Sequence, residues 1–511
     1  MFMTNGLVFL LGAILTFAFA PFNFWFLLYP VLVAWLVISI KCSKTPFWTS
    51  WWFGFGYFGA GISWVHVSIA TFGGLPLVIS ILMMAILCGY LALFPALLVW
   101  ACNKYIQIRL WPLILPFAWL IMEFCRAHFL TGFPWLSIAY SQIDSPLQGL
   151  FPIIGEIGVS AIIIWLVSSI ALLISEKQIK QFLATLSAIA LAIFFSNQLT
   201  WIKDTGQSKT ITLVQGNIEQ SIKWQPEHDK PTIEKYKKLT SDNWDSDLIV
   251  WPEAAIPVLE SLPLGHTTLG ELDAMAEEHN TAIITGAVDY NYKSKESYNF
   301  LIALGIDIQG KNSMPYYYQH QNRYAKHHLL PIGEFVPFED ILRPLAPMFN
   351  LPMSSFNRGD YVQPNLLANG LEIVPALCYE IAFPNQIRAN ITATSNLILT
   401  VSNDAWFGDS HGPHQHLQIA RIRALEFGLP LVRATNTGVT GAYDANGKLL
   451  GKLAQFEADT LTVQVPLVEG LTFYRNYGNW PSMLFFGLLS AAAFALQYGR
   501  SKRPSTQDTE N

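Results

Sequence analysis

Charge is what this chain has least of. Only 13% of its 511 residues are Asp, Glu, Lys or Arg, while 52% are hydrophobic; an ordinary soluble protein is roughly a quarter charged. The shortage is local. The first 200 residues hold seven of the 31 basic side chains and four of the 36 acidic ones. That stretch is built for lipid and the remainder mostly for water. The net charge of -5, with no basic stripe, leaves no electrostatic footprint for nucleic acid. Cysteine is scarce as well, at five: Cys42, Cys88, Cys102, Cys125 and Cys378. No pair has the spacing of a metal site, and nothing reads as a disulfide framework. The first four lie in or beside apolar stretches, where a free thiol behaves as a small hydrophobe. Only Cys378 lies in the polar region, and a lone thiol there is either a buried core residue or a nucleophile. Internal repeats are absent.

What the first part has instead is long apolar runs. Eight segments are candidates for crossing a bilayer, near 6–20, 24–40, 49–69, 74–101, 110–125, 158–175, 181–197 and 481–498, since a span needs roughly 20 mostly apolar residues. The first has no charged leading region and no clear small-residue cleavage site, so it is expected to be retained. Lys41 and Lys44, Lys104 and Arg109, Lys177 and Lys180, and Arg500, Lys502 and Arg503 follow the second, fourth, sixth and eighth segments. Eight crossings put all four clusters on one side, which is then the cytoplasm. Both termini fall inside and the large 199–480 region outside. The 126–157 connection, with Phe129, Phe133, Trp135 and three prolines, reads either as a partly embedded loop or as an interfacial one with aromatic anchors.

Residues 199–480 read as a separate α/β domain. Strand patterns fall at 210–218, 247–251, 281–289, 298–304, 373–378, 396–402, 431–434 and 442–443, with helical patterns at 266–279 and 414–427 between them. Strands alternating with helices imply a layered core. The boundaries are therefore 1–198 for seven membrane helices, 199–480 for the soluble domain, 481–498 for the eighth helix and 499–511 for a polar tail.

Three reactive groups sit at or near the ends of these patterns. Glu253 follows Leu248-Ile249-Val250-Trp251-Pro252, Lys326 precedes His327-His328-Leu329-Leu330-Pro331, and Cys378 follows Ile373-Val374-Pro375-Ala376-Leu377. Strand ends hold reactive side chains on a rigid frame. A thiol is mostly protonated at neutral pH, so it needs a base or a nearby cation. Glu253 can take the proton, and Lys326 can favour the thiolate and then stabilise a tetrahedral oxyanion. Together the three suit acyl transfer through a thioester. Taken singly, Glu253 reads equally as a solvated loop acid and Lys326 as a surface charge. His411, His414 and His416 lie close enough together to suggest zinc, but two of them lie at a helix start. No metal and no cofactor is expected.

These motifs resemble a known superfamily. Trp251-Pro252-Glu253, Lys326 before its His-Leu-Leu-Pro run, and Cys378-Tyr379-Glu380 are similar to the signatures of the nitrilase, or carbon-nitrogen hydrolase, superfamily. The added membrane segments narrow the resemblance to its apolipoprotein N-acyltransferase family. Leu213-Val214-Gln215-Gly216-Asn217-Ile218, Lys223-Trp224, Pro331-Ile332-Gly333-Glu334-Phe335-Val336-Pro337 and Ser402-Asn403-Asp404-Ala405-Trp406-Phe407-Gly408 extend it over essentially the whole chain. The resemblance implies an α-β-β-α nitrilase-like sandwich beside about eight transmembrane helices, in a bacterial inner membrane with the catalytic domain on the periplasmic side. It implies a ping-pong reaction in which Cys378 takes an acyl group from a phospholipid, usually phosphatidylethanolamine, and passes it to the α-amino group of a diacylglyceryl-cysteine on an apolipoprotein. By the same resemblance Glu253 is general base, Lys326 stabilises charge, Glu334 positions Lys326, Tyr379 and Glu380 line the site, and Trp224 belongs to a mobile lipid-facing loop. Trp224, Phe335 and Trp406 are candidates for an apolar route to the site, against ordinary core packing. Nothing calls for an oligomer, so a monomer is expected.

Three other readings compete. A membrane-tethered amidase would use the same three residues with water as acceptor, but a soluble substrate needs one anchor, not eight helices. A transporter would need ionisable residues along several helices, and here Glu123 and Arg126 are the main ones. A domain that only binds lipoprotein would have no reason to keep all of Glu253, Lys326 and Cys378.

Overall fold

The computed structural model describes residues 2–42, 44–307, 309–312, 314–331, 333–335 and 355–501. Ile332 and Val336-Pro337 of the motif quoted above, and the polar tail from 502 onward, lie outside the described residues. The chain forms two compact units. One takes the described residues of Met1–Ser63, Met84–Leu199 and Tyr477–Asn511, and the other takes Trp64–Met83 and Thr200–Asn476.

The first unit is helical. Among the described residues, five helices are long and apolar enough to cross a membrane: Leu77–Tyr105, Ile108–Thr131, Gln148–Glu176, Ile179–Ser196 and Trp480–Tyr498. The other three expected crossings fall on shorter elements, Met3–Ala18, Trp25–Lys41 and Pro46–Gly61. At about 1.5 Å per residue these fall short of the roughly 30 Å of a bilayer core. Phe2–Ile14 and Pro46–Gly61 approach closely through glycine. A Cβ on Gly12 would lie 2.1 Å from the Phe53 carbonyl oxygen, and one on Gly56 2.0 Å from that of Phe9, so small residues bring the backbones together. The 126–157 connection is folded into this unit: Trp135, Leu136, Ile138 and Tyr140 are buried. Arg126 is buried against Glu123 and donates to the Phe133 carbonyl at 2.7 Å. That pairing lets a charge sit among apolar helices.

The second unit is a sandwich of two six-stranded sheets. In sequence the strands are β1 (Ile202–Gln215), β2 (Leu248–Val250), β3 (Ala282–Asn291), β4 (Glu296–Gly305), β5 (Arg323–Ala325), β6 (Leu366–Ala368), β7 (Leu371–Leu377), β8 (Leu397–Ser402), β9 (Leu431–Thr435), β10 (Gly441–Tyr443), β11 (Leu449–Lys452) and β12 (Asp459–Gly470). Their orders are β12-β1-β2-β3-β4-β5 and β11-β10-β9-β8-β7-β6. The centres are parallel, β1-β2-β3 in one sheet and β7-β8-β9 in the other. The flanking strands are antiparallel. Parallel strands covered on both faces read as unbroken apolar runs, which is why β2 and β8 are buried along their whole length.

Leu213, Val250, Ile284 and Leu301 from one sheet meet Leu377, Leu399 and Ala434 from the other in a single core. On the outer face of the first sheet, Trp251, Ile283 and Phe300 pack on Ile233, Tyr236, Leu269 and Leu272 of helices Pro226–Thr240 and Pro263–Glu278. Helix Gly412–Phe427 covers the second sheet beside β9. The layers therefore run α-β-β-α. The apolar run 49–69 does not continue as one helix. It stops at Gly61, and residues Trp64–Met83 join the sandwich unit. There Trp64 Nε1 donates to Gln415 Oε1 at 3.2 Å and Ser68 Oγ to the Trp406 carbonyl at 2.6 Å; the polar groups in the run draw it away from a continuous span.

Candidate active site

Glu253, Lys326 and Cys378 leave the carboxyl ends of β2, β5 and β7, at one end of the sandwich. Pro252 cannot donate to the ladder and ends β2. The turn that follows is tight: Ala254 takes φ +47°. It also presses on β3, where a Cβ on Gly286 would lie 2.4 Å from Ala254 N and 2.7 Å from Glu253 Cα. A side chain there would push the carboxylate out of place. Cys378 itself has φ +49°, a left-handed conformation that costs a non-glycine residue of order 1–3 kcal/mol. The bend turns the thiol out of the sheet at the start of a short 3₁₀ turn, Cys378–Ala382.

The charged groups converge. Lys326 Nζ donates to Glu253 Oε1 at 2.9 Å and to Glu334 Oε1 at 2.8 Å. Asn299 Nδ2 bridges the same two oxygens at 2.8 and 3.0 Å. The Asn403 amide reaches Glu253 Oε2 at 3.3 Å. Lys326 is 2% exposed and Glu253 6%, so each charge depends on the others. Burial by itself would raise the Glu253 pKa, but the Lys326 charge and the hydrogen bonds from Lys326 and Asn299 hold it below the usual carboxylate value. Burial would lower that of Lys326, and Glu253 and Glu334 instead raise it well above the ordinary amine value. Burial, with help from Glu253, pushes the Cys378 thiol up, against the pull of Lys326. The resting arrangement is thus a neutral thiol beside a carboxylate and an ammonium. The thiol needs a base, and the carboxylate is already ionised to serve.

Glu334, with Oε1 on Lys326, also accepts the Leu330 amide through Oε2 at 2.8 Å, which fixes the intervening loop. The Glu380 carboxylate is occupied by hydrogen bonds from backbone and side chains. It is 1% exposed, and accepts the amides of His327 at 2.8 Å, His328 at 3.0 Å and Leu377 at 2.8 Å, with Tyr324 and Gln386 as further donors. It therefore ties the backbone after Lys326 to the backbone before Cys378. Tyr379 packs its ring against His328 and Phe383. Trp224 is half-buried, with the Lys223 ammonium 5.9 Å from its ring. Phe335 lies under the Arg358 guanidinium, and the Trp406 carbonyl is held by Ser68.

Several participants carry little signal in the sequence. Asn299 was visible only as an amide inside an otherwise apolar strand. Lys223, quoted there only as motif, is buried and donates to the Glu253 carbonyl at 3.3 Å; burial lowers its pKa to about 8, with Glu253 opposing. Ser402, Asp404, His416 and Arg433 form a buried cluster behind Cys378. His416 Nε2 lies 2.9 Å from the Cys378 carbonyl oxygen, so it props the backbone at Cys378. Among the described residues no three His, Cys, Asp or Glu side chains are placed to hold a metal.

Two family models match the chain. Apolipoprotein N-acyltransferase N-terminal domain covers residues 11–170, and Carbon-nitrogen hydrolase covers 210–471. Among curated relatives, the apolipoprotein N-acyltransferase of Shewanella oneidensis is 47% identical over 499 residues, 96% of this chain and 95% of that one. That of Photobacterium profundum is 45% identical over 487 residues, 94% and 92% of the two chains. That of Haemophilus influenzae is 42% identical over 501 residues, 94% of each. Such coverage takes in the helical unit and the sandwich together.

Proposed function

This chain belongs to the apolipoprotein N-acyltransferase family, and from that premise we propose how its site moves the acyl group. The chain is a membrane acyltransferase of lipoprotein biosynthesis with a nitrilase-like domain. The donor is a phospholipid, phosphatidylethanolamine first among candidates, and the acceptor is the α-amino group of an amino-terminal diacylglyceryl-cysteine.

The reaction runs in two halves. Glu253 takes the thiol proton as Cys378 Sγ attacks the ester carbonyl. Lys326 faces the developing oxyanion. The ester C–O bond breaks, Glu253 returns the proton to the leaving oxygen, and a lysophospholipid departs from an acyl-thioester. The acceptor amine then attacks the thioester, Glu253 takes its proton, the C–S bond breaks, and Glu253 passes the proton to Sγ as the amide product leaves. Glu334 and Asn299 hold Lys326 and Glu253 in register, Glu380 fixes the loops that carry Lys326 and Cys378, and Tyr379 and Trp224 border the substrates. Burial of charge supports this reading: a water-poor site spares the thioester.

We further propose eight crossings of a bacterial inner membrane within 1–198 and 481–498, the three short helices Met3–Ala18, Trp25–Lys41 and Pro46–Gly61 crossing where the bilayer thins locally around them, with 199–480 on the periplasmic side, both termini cytoplasmic, and the enzyme monomeric. The basic residues between segments support that orientation. The observation that carries the chemistry is the junction of Lys326 with both Glu253 and Glu334 beside Cys378. Its test supplies purified enzyme with acyl-labelled phosphatidylethanolamine and a diacylglyceryl-cysteine peptide. Label should reach the peptide α-amino group, and Cys378→Ala should stop it. Labelled free fatty acid without acylated peptide would favour an amidase-like enzyme that passes the group to water.

A further inference from the structure

Ser402 ends β8, fully buried, with its hydroxyl oxygen between two acceptors: 3.2 Å from Cys378 Sγ and 2.6 Å from Asp404 Oδ1. A hydroxyl has one hydrogen and can give it to one of them at a time. Asp404 is the stronger claimant while Cys378 is a thiol. Its carboxyl is buried yet held well below the usual range, because Arg433 and His416 outweigh the burial. Arg433 Nη2 lies 2.7 Å from Asp404 Oδ2 and 2.9 Å from His416 Nδ1. Burial lowers the His416 pKa, with the Arg433 charge adding to it and Asp404 opposing. The His416 Nδ1 also lies 3.1 Å from Asp404 Oδ1, and its Nε2 lies 2.9 Å from the Cys378 carbonyl oxygen. Within this cluster of Ser402, Asp404, His416 and Arg433, the serine hydroxyl is the one group whose hydrogen can turn between two acceptors.

We propose that Ser402 is a further catalytic residue of acyl transfer, a hydroxyl that turns its hydrogen from Asp404 to Cys378 Sγ as the thiol proton leaves for Glu253. The turn transfers no proton. It replaces an O–H···O⁻ bond by an O–H···S⁻ bond, while Arg433 continues to neutralise Asp404. When Sγ becomes a thioester sulfur it is a poor acceptor, and the hydrogen returns to Asp404. The charges of Glu253, Lys326 and Asp404 all act on Sγ. Lys326 is already committed to two carboxylates, so the thiolate gains from a second donor. Asp404, Arg433 and His416 are positioning residues, aiming the hydroxyl and holding the strained Cys378 backbone.

The inference rests on Cys378 being the nucleophile, and the test separates the two. Alkylation of the Cys378 peptide by iodoacetamide, read by mass across pH, gives the ionisation midpoint of this thiol in full-length enzyme in detergent. Acyl-adduct formation from labelled phosphatidylethanolamine is timed on the same samples. In Ser402→Ala the midpoint should rise by about one unit and acylation at neutral pH should slow on the order of tenfold, since a hydrogen bond to a charged group is lost. Ser402→Thr, which keeps the hydroxyl, should stay close to wild type in both. A midpoint and acylation rate in Ser402→Ala equal to wild type overturn the proposal. Absence of an adduct in wild type would defeat the nucleophile assignment, while the alkylation midpoints would still decide whether Ser402 serves the thiolate.

Discussion

Lys326 Nζ and Glu253 Oε1 lie 2.9 Å apart, with 2% and 8% of their side chains exposed. A buried pair of this kind is worth little against an apolar substitute, but removal of one partner strands the other. Lys326→Met leaves Glu253 and Glu334 facing each other across Asn299. We predict that it destabilises the sandwich unit by about 3–5 kcal/mol and lowers acyl transfer by on the order of a hundredfold or more. The double variant Lys326→Met/Glu253→Gln should recover much of the lost thermal stability and none of the activity. Thermal unfolding alongside peptide acylation separates the two effects.

The close approach of Gly286 to the Glu253 turn makes a second prediction. An added Cβ meets only backbone, 2.4 Å from Ala254 N and 2.6 Å from the Pro252 carbonyl, so the turn and its carboxylate must move. Gly286→Ala should slow transfer by on the order of a hundredfold, the cost of about an ångström of misplacement. Gly270→Ala, on helix Pro263–Glu278, meets only an aromatic carbon of Tyr316 at 3.7 Å; it should leave the rate unchanged and add slightly to stability. Equal rates in the two variants would count against the packing argument.

Lys223 supplies a pH-dependent test. Its folded pKa is depressed from 10.5 to about 8, chiefly by burial. Between these values the unfolded chain holds a proton that the folded chain does not, so this residue makes stability rise with pH there. Its cost is full below about pH 8 and fades toward the ordinary amine value. Lys223→Met should therefore raise the thermal midpoint at neutral pH, by a gain on the order of a few kcal/mol, and that gain should shrink through the same window. A gain that is constant across pH would place the effect in packing, not charge.

Much of this was legible in the sequence where burial is one-dimensional. β2 and β8 are parallel strands covered on both faces, so Leu248-Ile249-Val250 and Leu397-Ile398-Leu399 read directly as apolar runs, and Glu253 and Cys378 stand just past the ends of β2 and of the neighbouring β7. Edge strands carry no such signal. β5 and β6 have three residues each, and β12 pairs with β1 from the far end of the domain. Side-chain direction was hidden too. Glu380, next but one to Cys378, reads as lining the site, but its oxygens are taken by backbone amides. Asn299 and Arg433 look like odd polar residues in apolar strands until the fold brings Glu253 and Asp404 to them. Composition marks an apolar run but not where its helix stops, which is why 49–69 reads as one span and ends at Gly61.

The central claim is that Cys378 carries the acyl group between two substrates. Purified enzyme would be mixed with acyl-labelled phosphatidylethanolamine in the absence of acceptor, and its intact mass read before and after neutral hydroxylamine. The account predicts one acyl adduct on the Cys378 peptide, labile to hydroxylamine, absent in Cys378→Ala, and discharged when a diacylglyceryl-cysteine peptide is added. Peptide acylation that proceeds at full rate in Cys378→Ala, or an adduct on any other residue that the acceptor discharges, would contradict it.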